Sequence, residues 1–419
     1  MIKHTGLVFN AFSLIVISVC LSVIMAQSSV DPTNNLTGSI QIHDPSSIIK
    51  CGNTYYVYQT GGGSKSSPDR KNWTDGASII SGANAIGNQA WWVIHGGEIW
   101  APEVAFLDGV YYCFYSVSVW MGFNSAVGVA TNTTLDQSSS NNKWVDKGIV
   151  MDSLQAADGG PMVNVIDPST FLDDDGKWYL AFGSYQGGVR LAELNRATGN
   201  PINNPAHPIK ITGSLGEASF IFHWKNYYYY TVSRGTCCAG MNSTYQIVYG
   251  RAASVKGPYT TKTGASFLNN NYTVLLTGDK AADGSVLHAG MGGQSFFWDH
   301  RGNGAIDTLF MDYHAYTAPS GTSYLNIKPM FADANGWLTV DPTQGTIITR
   351  TITVSNQKTI IHGAPMSASA GCTIHLVGDA FSPAKSPAGQ LYSITGRLLI
   401  GNAWKKLHNG IVIDKKELP

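Results

Sequence analysis

The chain has 419 residues, and its 27 Lys plus Arg balance 27 Asp plus Glu, so the formal net charge is zero. That balance removes the electrostatic basis for binding nucleic acid or an anionic membrane surface. Only 13% of residues are charged, while 11% are aromatic and 46 are glycine, a mixture that suits short strands and turns rather than helices.

The first element is an apolar run from Leu14 to Met25, preceded by Lys3 and closed by Ala26. It reads as a signal peptide over residues 1–26, although Ile24 is a poor residue so close to the cut. A membrane anchor is the competing reading, but the run is short and no later stretch reaches the ~20 apolar residues of a span. The mature chain is therefore expected to be secreted, extracellular or periplasmic. Beyond Cys20, the cysteines Cys51, Cys113, Cys237, Cys238 and Cys372 are odd in number and lack a zinc-type C-x-x-C spacing. Cys237 and Cys238 could form a vicinal disulfide; small buried thiols are the plainer expectation.

Five segments then combine a turn signal with an aromatic strand. Gly52-Asn53 precedes Tyr55 to Tyr58, Asp108-Gly109 precedes Tyr111 to Tyr115, and Asp175-Gly176 precedes Trp178 to Leu180. Lys225-Asn226 precedes Tyr227 to Tyr230, and Asn303-Gly304 precedes Leu309 to Tyr313. The dipeptides suit hairpin turns, and the long period between hairpins suits four-stranded blades with variable loops. The expected fold is all-β, a five-bladed β-propeller over residues 27–350, with a short C-terminal β extension over residues 351–419. A β-sandwich is the competing architecture, but its hairpins would recur at shorter intervals.

Asp44, Trp100, Asp167 and Glu217 each stand eleven residues before a hairpin aromatic: Tyr55, Tyr111, Trp178 and Tyr228. Equivalent positions on the inner strands of a propeller ring its axis, so three carboxylates and a tryptophan should meet in one depression. Asp44-Pro45 and Asp167-Pro168 are also ordinary turn pairs. Three carboxylates facing one cavity are costly to bury unless they serve chemistry.

From about residue 41 to 340 the chain resembles glycoside hydrolase family 43, and within it the arabinan endo-1,5-α-L-arabinosidases. The resemblance rests on His43-Asp44-Pro45-Ser46, on Glu98 to Val104, on Asn164 to Pro168 with Gly183-Ser184-Tyr185, and on Gly213 to Ser219. Cys237 to Tyr245, Gly250-Arg251, Gly257-Pro258-Tyr259, Tyr313-His314-Ala315-Tyr316 and Asn335-Gly336-Trp337 complete it. Glu103 replaces the family's usual aspartate, and Tyr185 its usual phenylalanine.

That resemblance implies Asp44 as general base, Glu217 as general acid and Asp167 as the residue that tunes and orients the acid. The chemistry needs such a set. An inverting glycosidase uses one carboxylate to activate water and a protonated one for the leaving oxygen, and a third negative charge raises the acid's pKa. Trp100, Trp120 and Tyr185 are the expected substrate contacts; for the tryptophans, plain packing is the alternative. The family often holds a metal through a histidine in the fifth blade. Here Met291 is read at that position, and a thioether is a poor ligand for calcium. No metal ligand is therefore assigned, and calcium is left open with His288 and His314 in its neighbourhood.

Ala384 to Gly389 reads as a linker. Leu391 to Arg397 and Leu407 to Val412 resemble a small sorting domain or a simple hairpin. The expected substrate is plant cell-wall arabinan, including pectin side chains, cleaved in endo mode by a monomer. Exo-arabinanase, arabinofuranosidase, β-xylosidase and a non-catalytic carbohydrate-binding propeller are the alternatives.

Overall fold

The computed structural model describes residues 36–83, 85–122, 124–153, 163–202, 208–300 and 306–351, together with four two-residue strands further on. The signal peptide, Asn303-Gly304 and the 384–389 linker lie outside the described residues.

Five sheets follow one another along the chain. The first contains β1 (Thr37–Gly38), β2 (Ile49–Cys51), β3 (Thr54–Tyr58), β4 (Ser64–Ser67) and β5 (Asn72–Gly76). The second contains β6 (Glu98–Leu107), β7 (Val110–Ser118), β8 (Ala126–Asn132) and β9 (Val145–Asp152). The third contains β10 (Ser169–Leu172), β11 (Trp178–Ser184), β12 (Gly188–Leu194) and β13 (Ile209–Lys210). The fourth contains β14 (Glu217–Trp224), β15 (Tyr227–Arg234), β16 (Gln246–Ala252) and β17 (Thr273–Leu276). The fifth contains β18 (Asp279–Lys280), β19 (Val286–His300), β20 (Ile306–Thr317) and β21 (Thr322–Pro329). Successive strands from β2 to β5, and within each later sheet, pair antiparallel.

Four of the hairpins, those at Gly52-Asn53, Asp108-Gly109, Asp175-Gly176 and Lys225-Asn226, arise where the sequence put them. Asp108 and Gly109 both have positive φ (50° and 86°), the two-residue turn whose twist matches the strands it joins. It sets Leu107 opposite Val110.

Period-two alternation then sends the two faces of one strand into two different cores. On β7, Tyr111, Cys113 and Tyr115 join Tyr56 and Tyr58 of the first sheet. Tyr112 and Phe114 join Trp178, Leu180 and Phe182 of the third. Tyr179 and Ala181 face Tyr230 and Val232 of the fourth sheet, while Tyr229 packs with Met311 and Tyr313 of the fifth. A fifth core unites Val57 and Trp73 with Phe297, Phe310 and Leu325, so the last sheet packs on the first. Trp178 meets Tyr112 and Phe114 edge-on at 5.0 and 5.5 Å between ring centroids. Truncating such a ring to alanine costs about 3–5 kcal/mol.

Backbone bonds reinforce this closure. Ile42 donates to the Ser323 carbonyl and Leu325 to that of Ile40, while Thr37–Gly38 pairs with β5. The N-terminal segment thus binds both ends of the chain of sheets.

Beyond β21, the strands β22 (Phe331–Ala332), β23 (Leu338–Thr339) and β24 (Thr346–Ile347) form a small sheet, and β25 (Thr349–Thr351) pairs with β20. In the tail Leu391–Tyr392 pairs with Leu398–Leu399, and Ile374–His375 with Val412–Ile413.

Candidate active site

Each sheet bends its first long strand, or the approach to it, at one residue held at positive φ. These residues are Asp44 (47°), Ala101 (37°), Asp167 (55°), Ala218 (48°) and Gly293 (57°). The registers shift at Trp100/Glu103, Glu217/Phe220 and Gly292/Ser295, as β-bulges do. All five residues line one cavity, together with Pro45, Pro102, Pro168, Ser219 and Gln294.

This arrangement corrects two sequence expectations. The eleven-residue spacing holds for Ala101 and Ala218 when it is counted from Tyr112 and Tyr229, so Trp100 and Glu217 stand one residue before the axial position. In a run of adjacent aromatics, a slip of one residue moves the reading to the opposite strand face. In the fifth sheet the axial residue is Gly293, whereas Met291 is buried in the core between the fourth and fifth sheets. A Cβ on Gly293 would come 2.8 Å from both Asp44 Oδ1 and His314 Nδ1, so a histidine from β20 occupies the space beside it.

The three predicted carboxylates act on one another. Burial would raise the Asp44 carboxyl, but the charge and hydrogen bond of His43 outweigh it. With help from His314 and Thr60 they hold it well below the usual range. His43 Nδ1 bonds Asp44 Oδ2 at 2.8 Å and Thr60 Oγ1 donates to the same oxygen at 2.7 Å. Glu217 goes the other way, pushed up to about 7 by burial and by the Asp44 charge against a lowering bond from Tyr245. Asp167 is also raised, by burial first and then by the charges of Glu217 and Asp44, while the Ala218 N–H opposes the rise. The Asp167 backbone N–H is itself held by Ser116 Oγ at 2.9 Å.

Of the expected substrate contacts, Tyr185 is closest in effect. Its hydroxyl donates to the Gly235 carbonyl and accepts from the Gly235 N–H, and burial and the Glu217 charge raise it to about 12. Trp100 is half-buried on β6, and Trp120 is 63% exposed on the loop after β7. None of the three is among the residues lining the axial cavity.

Several site residues escaped the sequence reading. Tyr245 donates to Glu217 Oε1. His43 stacks on His314 with centroids 4.2 Å apart, and Tyr316 joins His43 Nε2 at 2.7 Å. Glu103, buried on the cavity wall, accepts from Ser47 Oγ and N–H, and burial raises it to about 7. All these residues sit inside the quoted motifs, but nothing in their spacing says that they touch. Cys237 and Cys238 are bonded to each other, against the plainer expectation of free thiols.

For a calcium ion, which the resemblance brings with it, one of the three donor clusters among the described residues includes a residue of the axial cavity. Donor atoms of His43, Asp44 and His314 lie within 4.8 Å of one another. His43 has both nitrogens engaged, whereas His314 Nε2 is buried without a hydrogen-bond partner. His314 Nδ1 accepts from the Asp44 backbone N–H at 3.2 Å and lies 3.4 Å from Asp44 Oδ1; with its proton instead on Nδ1, toward that carboxylate, Nε2 would be left for a cation. The residues fit a cation held through His314, with water supplying the oxygens calcium needs.

The comparisons with known proteins bear on this geometry. The profile of the Glycosyl hydrolases family 43 matches residues 35–338. The chain belongs to this family. It is 33% identical over 328 residues to an extracellular exo-α-(1→5)-L-arabinofuranosidase of Cellvibrio japonicus, covering 72% of this chain and 87% of that protein. It is 30% identical over 345 residues to an arabinan endo-1,5-α-L-arabinosidase of Aspergillus aculeatus, covering 78% and 97%. Among solved structures, the endo-arabinanase of Bacillus licheniformis matches with a TM-score of 0.61 and 34% identity, over 73% of this chain and 99% of that one. Family 43 membership makes this chain a glycoside hydrolase of the arabinanase and arabinofuranosidase group.

Proposed function

We propose that the protein is a secreted endo-arabinanase that cleaves α-1,5-linked arabinan with inversion, on a five-bladed β-propeller over residues 27–350. The propeller reading rests on five cores, each shared by neighbouring sheets, the last closing onto the first. Pairing of β25 with β20 supports ending this unit near residue 351, with 351–419 as a separate extension. Secretion is supported by the extracellular relatives of Cellvibrio japonicus and Bacillus subtilis.

The observation that carries the catalytic reading is the opposite displacement of two carboxyls: Asp44 is held ionised, and its charge helps burial push Glu217 up to about 7. Asp44 takes a proton from a water molecule as its oxygen bonds the anomeric carbon. Glu217 gives its proton to the glycosidic oxygen as that bond breaks. Asp167 tunes and orients Glu217, each carboxyl opposing the ionisation of the other, and the Ala218 N–H fixes the direction of Asp167. Trp100, Trp120 and Tyr185 are the proposed sugar contacts; ring faces suit the apolar faces of sugars. A cation on His314 would add positive charge beside Asp44.

Endo action follows the Bacillus and Aspergillus relatives; the exo reading is favoured by the Cellvibrio relative. Product analysis on linear α-1,5-arabinan, branched arabinan and xylan tests the choice. Early mixed oligosaccharides from linear arabinan, with viscosity falling ahead of reducing ends, are expected. Arabinose alone from the first minutes would reassign the enzyme as exo-acting, and release of xylose alone would reject arabinan.

A further inference from the structure

The vicinal disulfide lies against the machinery of the proposed base. Cys237 Sγ and Cys238 Sγ are each 3.8 Å from His43 Nε2. The Cys238 backbone N–H reaches the Tyr316 hydroxyl at 3.1 Å, and that hydroxyl meets His43 Nε2 at 2.7 Å. His43 Nδ1 in turn meets Asp44 Oδ2 at 2.8 Å.

Both ends of this chain have fixed roles. A backbone N–H donates and cannot accept, so the Tyr316 oxygen accepts from Cys238; an ionised carboxylate only accepts, so His43 donates from Nδ1 to Asp44. The His43 ring is aligned between these two ends, with Nε2 against the Tyr316 hydroxyl. The Cys238 N–H is aimed by a residue at φ 64°, a conformation that a side-chain-bearing residue holds only when its surroundings impose it. Cys238 is joined covalently to Cys237.

We propose that the Cys237–Cys238 disulfide is a positioning element for the general base, holding Cys238 N–H on Tyr316 so that Tyr316 keeps the His43 ring aligned on Asp44. Neither sulfur takes part in bond breaking. The pair also covers His43 Nε2 and keeps water from competing with Tyr316 for it. Because Cys238 is exposed, a reductant can reach the pair from solvent. The proposal rests on Asp44 being the base, and its test separates the two claims.

The intact protein is treated with a phosphine reductant until thiol titration shows the Cys237–Cys238 bond opened, then assayed and studied by ¹⁵N NMR of its histidines. In the oxidised protein the His43 Nδ1 proton should give the signal of a strong hydrogen bond to Asp44; on reduction that signal should shift and broaden as the ring loses its alignment. On linear arabinan kcat should fall roughly tenfold, the loss expected for one misplaced hydrogen bond, with KM little changed and activity restored by reoxidation. Cys237→Ala/Cys238→Ala and Tyr316→Phe should each show the same loss, and combining them should add nothing, as for members of one network. A fully reduced protein with unchanged His43 signals overturns the proposal, whatever its activity. A protein that never hydrolyses arabinan, yet changes its His43 signals on reduction, supports the positioning chain and removes only the substrate reading.

Discussion

The backbone N–H of Ala218 donates to Asp167 Oδ2 at 2.9 Å, so the carboxylate of the third sheet is tied to the residue that directly follows Glu217. This bond joins two neighbouring sheets at the cavity wall and keeps the Asp167 carboxyl near the proposed acid. The functional consequences can be measured.

Asp44→Asn and Glu217→Gln should each lower kcat on arabinan by about 10²–10⁴-fold, the usual cost of losing a general base or acid. Circular dichroism should stay unchanged, since each substitution keeps its shape. Near wild-type turnover in Glu217→Gln would remove the acid assignment.

Activity requires Glu217 protonated and Asp44 ionised. With Glu217 raised to about 7 and Asp44 held below its ordinary value, activity should be full in mildly acidic solution and fall as pH rises through about 7. Asp167→Asn removes the other carboxyl of a pair in which each opposes the ionisation of its partner, and should move this basic limb to lower pH. Tyr245→Phe removes a bond that lowers Glu217, and should move it to higher pH. A kcat/KM profile of the three proteins checks both signs.

Gly293→Ala puts a methyl group 2.8 Å from Asp44 Oδ1 and His314 Nδ1, at φ +57°. The left-handed backbone alone costs roughly 1–2 kcal/mol, and Asp44 must also move. Thermal melting should show the destabilisation, and kcat should drop more than the folded fraction does. An active, stable variant would mean that Gly293 is not the close-packed axial residue.

If Asp44 activates water rather than attacking the sugar, hydrolysis inverts the anomeric centre. Proton NMR of fresh products should show the β-anomer before mutarotation. Early α-anomer, or a sugar ester trapped on Asp44, would reject the mechanism.

The orphaned His314 Nε2 predicts one calcium per chain by calorimetry, absent in His314→Ala. Chelation should slow wild-type turnover, and added calcium should restore it. Calcium binding that survives the substitution would place the ion elsewhere.

The sequence by itself determined the strands, the turns and the chemistry on offer. Asp108-Gly109 dictates a hairpin through local backbone energetics, and alternation along Tyr111 to Tyr115 dictates two buried faces, because both signals act within a few residues. The motifs around Asp44, Asp167 and Glu217 carried the family. What the tertiary structure decided is which residues meet. Choosing Ala101 over Trp100 as the axial residue needed a register that adjacent tyrosines leave ambiguous by one step. Gly293 rather than Met291 became axial through bulges in β19, which add residues without a local sequence mark. His43, Tyr245, His314 and Tyr316 come together from the first, fourth and fifth sheets. Their hydrogen bonds, and the burial that drives Asp44 and Glu217 apart, exist only when the ring is closed.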